Sequence, residues 1–339
     1  MIARRTVLAG LASLPVAAMG APAPAPAPAG FVKRLSPRLD AIIPPSATVE
    51  FLAEGFRWAE GPVWVSQGDY LLFSDPPANT VYRWRQDEGA KPFLSPAGFQ
   101  GDIPAGVREA GLNGLIIDKD GALVAADSGT RTIVRIDLQS RERTILAERF
   151  EGKRFNSPND LCIAPSGIIY FTDPPYGFTD GDASALREVA HNGLYALFPD
   201  GTVALLDGSH HRPNGVAIAP DGRTLYLALS DEKQPEVRAY TLGADGRPTG
   251  QRLFHDFRAD LARGLPGLPD GLKVAPGGHV FATGPGGVHI LTAEGEPIGL
   301  IGTGKAVANI CFGQDGTCMF LTSSDRLARI AMDHGRTPA

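Results

Sequence analysis

Cysteine is scarce in this chain of 339 residues, which carries only Cys162, Cys311 and Cys318. Their spacing shows neither a CxxC pair nor a disulfide framework, which argues against a redox motif and a cysteine-clamped metal module. Cys311 and Cys318 flank a turn over 313–317 and are expected to face each other across a hairpin; a bridge is the alternative, and two buried thiols are the expected state. Clusters of Lys and Arg are also missing from the body of the chain, whose formal net charge is −5. Without a basic patch to displace counterions, a nucleic-acid partner is excluded. No HExxH occurs, so a zinc-protease helix is excluded. Ser157 lacks the GxSxG elbow of serine esterases, and Cys162 has no base near it in sequence, which removes a thiol nucleophile. Beyond the N-terminus no stretch is long and apolar enough to span a bilayer.

Turn formers, by contrast, are plentiful: 41 Gly and 29 Pro. That balance suits many short strands joined by tight turns. Residues 1–21 combine Arg4-Arg5 with an apolar stretch interrupted by Pro15 and then small residues. They read as a cleaved export signal of the twin-arginine type, with an ordinary secretory leader as the alternative. Residues 22–44 read as a Pro/Ala-rich extended linker, and the fold is expected over 45–339. The mature protein is then periplasmic, with no membrane span.

A repeat lies in the turns. Six segments begin with an acid or amide, continue through an apolar run to a glycine-containing turn, and end in a second apolar strand. They start at Glu60, Asn113, Asn159, Asn214, Asp270 and Asn309. The turn glycine follows 8 residues later in the first five and 7 later in the sixth. Such units match propeller blades, each a small antiparallel sheet. The expected fold is all-β, a six-bladed β-propeller with a central metal-binding channel. Because the first strand of every blade lies beside the channel, the six leading residues should form a ring around it. Two carboxylates and several amides there make an oxygen-only site, suited to a hard divalent cation.

The motifs EGPVW at 60–64, FNSPNDL at 155–161, YFTDPPYG at 170–177, PNGVAIAPDG at 213–222 and LPDGLKV at 268–274 resemble the SMP-30/gluconolactonase family. The resemblance runs from about residue 48 to the end. It implies a six-bladed propeller and a calcium- or zinc-dependent lactonase acting on a sugar lactone such as glucono-1,5-lactone. It also implies that Glu60, Asn214 and Asp270 bind the metal, with Asn159 a ligand or a substrate contact. Ser157 and the pair Asp127-Ser128 depart from the family at substrate-facing positions.

The expected cofactor is one divalent ion, calcium foremost, with zinc, magnesium and manganese as alternatives. Asp270 is the candidate general base on water. Asn113, Asn159, His211 and His289 are the candidate substrate contacts. Asp75 and Asp173 are read as turn caps, since Asp before Pro initiates turns. Two other functions stay open: a metal-dependent hydrolase of other esters or organophosphates, and a non-catalytic propeller that binds metal or sugar. Nothing in the sequence reports oligomeric state.

Overall fold

The computed structural model describes residues 30–333; the expected export signal and the first part of the expected linker lie outside them. In five of the six repeats the turn glycine closes the hairpin; in the first, Asp69 next to Gly68 takes the left-handed position and donates its N–H to Ser66. Gly121, Gly167, Gly222 and Gly278 take positive φ and donate their N–H to Asp118, Ala164, Ala219 and Ala275, three residues earlier. That backbone conformation is open to glycine without steric cost. The strands on either side pair antiparallel and build six sheets of four or more strands. The innermost strands are Glu60–Val65, Leu112–Ile117, Leu161–Ile163, Pro213–Ile218, Leu272–Val274 and Asn309–Gly313. Each packs against the next around a central channel. The protein is a mostly-β, six-bladed propeller.

Hydrophobic packing is divided among the blade junctions. Val65, Leu72 and Val81 of blade 1 pack on Leu115, Leu123 and Val134 of blade 2. Equivalent clusters fill the other five junctions. The alternating strands thus bury both faces of each sheet, which is what a radial array requires.

The ring is closed by an N-terminal strand. Glu50–Glu54 pairs with Arg326–Ala331 as the outermost strand of blade 6, joining residues from opposite ends of the fold. The expected start at residue 45 is too late. Phe31–Arg34 adds a fifth strand to blade 5 by pairing with Pro297–Gly302. Behind it, Ser36 and Pro37 start a short 3-10 turn that buries Leu39 against blade 5. The later part of the proposed linker, from residue 31, therefore belongs to the fold. Cys162, Cys311 and Cys318 are buried and unbridged, as expected.

Candidate active site

The backbone at the ring positions explains the glycine that follows most of them. Gly61 has φ +48°, and a Cβ there would lie 2.0 Å from the carbonyl oxygen of Asn113 in the next blade. At Gly215 a Cβ would lie 2.1 Å from the carbonyl oxygen of Asp270. Each ring residue is thus packed directly against the backbone of its neighbour. Side-chain hydroxyls complete the arrangement: Ser74 donates to the Asn113 carbonyl and Thr172 to the Asn214 carbonyl, both at 2.7 Å. In blades 1, 2 and 4 a β-bulge lies at the ring position, between Glu60 and Val63, Leu112 and Leu115, and Pro213 and Val216. Bulges re-aim side chains and recur beside active sites; here they accompany side chains turned into the channel.

Glu60, Asn113, Asn159, Asn214 and Asp270 line one cavity of about 740 Å³ at the channel mouth. Volumes of this order hold small organic ligands. The sixth ring residue, Asn309, does not line it. Its amide lies beneath, donating to Glu60 Oε2 at 3.2 Å and accepting from Lys273 Nζ at 3.1 Å. Lys273 thereby places a positive charge at the floor. Asp160, next to Asn159, also turns away, accepting from the backbone N–H groups of Leu161 and Val216.

Electrostatics at the mouth are unbalanced. Burial raises the Glu60 carboxyl from its ordinary 4.5 to about 7, and the Asp160 charge adds to the rise; the Gly61 N–H, Asn309 and Lys273 oppose it. Burial, then the charges of Glu60 and Asp160, hold Asp270 well above the usual carboxylate range. Like charges gathered in a poorly solvated space favour either a proton or a cation. One neutral oxygen is left without a partner. Asn214 Nδ2 donates to Ser230 Oγ at 2.8 Å, while Asn214 Oδ1 is buried without a hydrogen-bond partner. An unsatisfied carbonyl oxygen beside two carboxylates fits a hard divalent cation.

Two cavity residues carried no signal of their own in the repeat. Glu109 sits in the long connection before blade 2, buried, with Oε1 held by Arg108 and Oε2 unpartnered. Burial raises its pKa. Tyr176 lies in the turn after Ile169–Asp173, and its hydroxyl is buried without a partner. Burial pushes that hydroxyl's pKa up, and Ser230 and Asp270 are among the groups acting on it. The two loops are tied together, since the N–H groups of Arg108 and Glu109 both donate to the Gly177 carbonyl. Tyr176 stands within the YFTDPPYG motif, but a tyrosine in an apolar turn gives no sign of facing a cavity.

Both histidines expected to touch substrate lie elsewhere. His211 is exposed, its ring between the carboxylates of Asp182 and Asp231, because its loop turns outward before entering Pro213–Ile218. His289 is on the third strand of blade 5, two strands from the channel, and faces His255 and Asp260 instead. The turn-cap reading of Asp75 is not met: it makes no capping bond to the 3-10 turn Pro76–Ala78 and accepts instead from the N–H groups of Arg57 and Trp58, while Asp173 accepts from that of Asn156 in a separate loop. Ser157 and Ser128 donate to the carbonyls of Pro174 and Pro158, so both hydroxyls support the loops around Asn159.

Fold and cavity define the class: a propeller with an acidic, amide-lined pocket of enzymatic type at one mouth of its channel. Residues 58–325 match the model of the SMP-30/Gluconolactonase/LRE-like region. The chain belongs to that family. It is 42% identical, over 97% of both chains, to the gluconolactonase of Zymomonas mobilis. The pentonolactonase XacC of Haloferax volcanii is 24% identical, over 79% of this chain and 82% of its own. Among solved structures, a gluconolactonase of Xanthomonas campestris superposes with a TM-score of 0.77 at 30% identity, covering 90% of this chain and 99% of that one. No helix among the described residues is long and apolar enough to cross a membrane.

Proposed function

We propose that this protein hydrolyses a sugar lactone, of the glucono-1,5-lactone type, to the aldonic acid. Relatives of that activity support the reaction class. The observation that carries the site assignment is the meeting of Glu60, Asp270 and the unpartnered Asn214 oxygen in one solvent-connected cavity. Glu60, Asn159, Asn214 and Asp270 would hold one divalent ion, calcium foremost because every donor is oxygen and two are anionic. Such an ion supplies Lewis acidity toward a carbonyl oxygen.

The remaining work falls to the chain's own groups. Asp270 takes a proton from water as the water oxygen bonds to the lactone carbonyl carbon. The bond from that carbon to the ring oxygen breaks, and the proton passes to the departing oxygen, giving the hydroxy acid. Tyr176 offers a hydroxyl and Asn113 an amide to the substrate's polar groups, and Glu109 accepts from its hydroxyls. Buried polar groups left unpaired by the protein are well suited to reading a polyhydroxylated ligand. The leader over residues 1–21 supports action in the periplasm, on lactones formed there by sugar oxidation; cell fractionation of an Arg4→Lys, Arg5→Lys variant tests that route.

Hydrolysis of glucono-1,5-lactone by purified protein, before and after chelation and with single divalent ions restored, tests the central reading. Chelator-sensitive turnover recovered by one ion supports it. Turnover no faster than the spontaneous reaction, with an ion bound, refutes it.

A further inference from the structure

A second set of ligand-type side chains lies outside the channel, between blades 4 and 5. His255 ends the outer strand Pro248–Asp256, Asp260 sits in the one-turn helix Arg258–Leu261, and His289 belongs to Gly287–Leu291. One ligand atom from each residue lies within 4.8 Å of the others. The two imidazoles flank Phe257, whose ring centroid is 4.6 Å from His255 and 4.8 Å from His289.

The hydrogen bonds fix what the rings can offer. His255 Nδ1 faces the Gly295 carbonyl at 3.3 Å, and His289 Nε2 faces the Pro285 carbonyl at 2.9 Å. A carbonyl oxygen only accepts, so both of those nitrogens carry the proton. In the neutral tautomers His255 Nε2 and His289 Nδ1 therefore hold bare lone pairs. Burial lowers both pKa values, which keeps the rings neutral near pH 7. A metal-binding histidine commonly donates its second nitrogen to a backbone carbonyl in this way. Asp260 supplies the anion, and Arg263, largely exposed, pairs with one of its oxygens.

We infer that His255, Asp260 and His289 form a second divalent-metal site, of the nitrogen-and-oxygen kind that zinc favours, with a fourth position for water. Tetrahedral bonds of ~2.0–2.1 Å place donors about 3.4 Å apart, so donors that lie within 4.8 Å of one another draw closer to hold the ion. The site is distinct in chemistry from the all-oxygen channel mouth and does not depend on lactone hydrolysis. Its consequence is mechanical. The segment that starts at Phe257 runs on through Leu261, Leu265 and Leu268, which line the cavity wall, to Asp270. An ion at its root fastens that wall to blade 5.

Cobalt(II) alone is the probe, titrated into chelator-treated full-length protein and followed by visible absorption. Histidine-bearing, four-coordinate cobalt absorbs strongly, whereas an octahedral all-oxygen site absorbs weakly. One strongly absorbing equivalent is expected in wild type and in Asp270→Asn, and none in His255→Asn or His289→Gln. Zinc should raise the melting temperature of wild type and leave that of His255→Asn unchanged. The metal-free melt of His255→Asn verifies that this half-buried position tolerates the change; if it does not, His289→Gln and Asp260→Asn carry the same comparison. Absence of the strong band in wild type, or its survival in the histidine variants, overturns the site. So does its loss in Asp270→Asn alone.

Discussion

Neutralising Glu60 should stabilise the metal-free protein, and by an amount that depends on pH. The carboxyl titrates near 7 in the fold against an ordinary value of 4.5. Between those values the unfolded chain ionises while the native protein still holds its proton. Native stability is therefore fully present below 4.5, falls through the window, and is lowest above 7. At ~1.4 kcal/mol per pH unit, the interval from 4.5 to about 7 corresponds to roughly 3 kcal/mol. Glu60→Gln keeps an oxygen for the Gly61 N–H and for Asn309 while removing the charge. In the presence of chelator, the variant should exceed wild type by up to ~3 kcal/mol at pH 8 and by little at pH 4.5, measured by urea unfolding at both. The raised Asp270 acts in the same direction in both proteins and, through its coupling to Glu60, is itself relieved in the variant. Saturating calcium should reverse the order at pH 8, because a bound ion uses the charge that the variant lacks. A stability difference that is independent of pH, or a less stable chelated variant at pH 8, refutes the reasoning.

Asp270→Asn should lower kcat by ~10²–10⁴, the usual worth of a general base, while retaining a measurable share of the bound ion by equilibrium dialysis. A loss below threefold with metal bound removes Asp270 from that role. Tyr176→Phe should leave the melting temperature unchanged, since the hydroxyl has no protein partner to lose, yet lower kcat/KM about tenfold, the scale of one substrate hydrogen bond; unchanged kinetics would place the hydroxyl outside the reaction. Gly215→Ala inserts a methyl 2.1 Å from the Asp270 carbonyl oxygen, and should cost ~1–3 kcal/mol through overpacking with weakened calcium binding. Gly250→Ala, where a Cβ meets nothing within 4 Å, is the control, and equal losses at both positions would refute the close-approach argument.

The blade count was legible because the hairpin glycines repeat at a fixed distance from the ring residues, and that distance is set by strand length. Ring membership followed from equivalence among repeats, and five of the six residues do meet in one cavity. Asn309 differs because its neighbour in the adjoining blade is Glu60, whose carboxylate takes its amide out of the cavity lining. Strand closure was hidden for another reason. Residues 50 and 329 pair although no local pattern links segments so far apart, and residues 31–34 add an edge strand that belongs to no repeat. Loop residues were the least legible. Glu109 and Tyr176 reach the cavity because two connections from different blades hydrogen-bond to each other, a tertiary fact with no counterpart in spacing. His211 and His289 were near the ring in sequence only, and a loop turn or one further strand is enough to send a side chain away.

The one polar exception to the glycine rule is the most informative position in the repeat. In blades 1, 2, 4 and 5 the residue after the ring is glycine, allowing the next blade to approach. In blade 3 it is Asp160, and the chain gives that carboxylate the N–H groups of Leu161 and Val216. These bonds hold an extra negative charge beneath the cavity, where it raises both Glu60 and Asp270. An apolar residue of similar size would relieve both. Retaining a charge that makes two buried carboxylates harder to ionise is costly in an empty channel. The cost is offset only when a cation occupies the mouth, where Asp160 strengthens the field that holds it. In the proposed site Asp160 would thus act on the ion through space, from a position whose side chain faces away from the cavity.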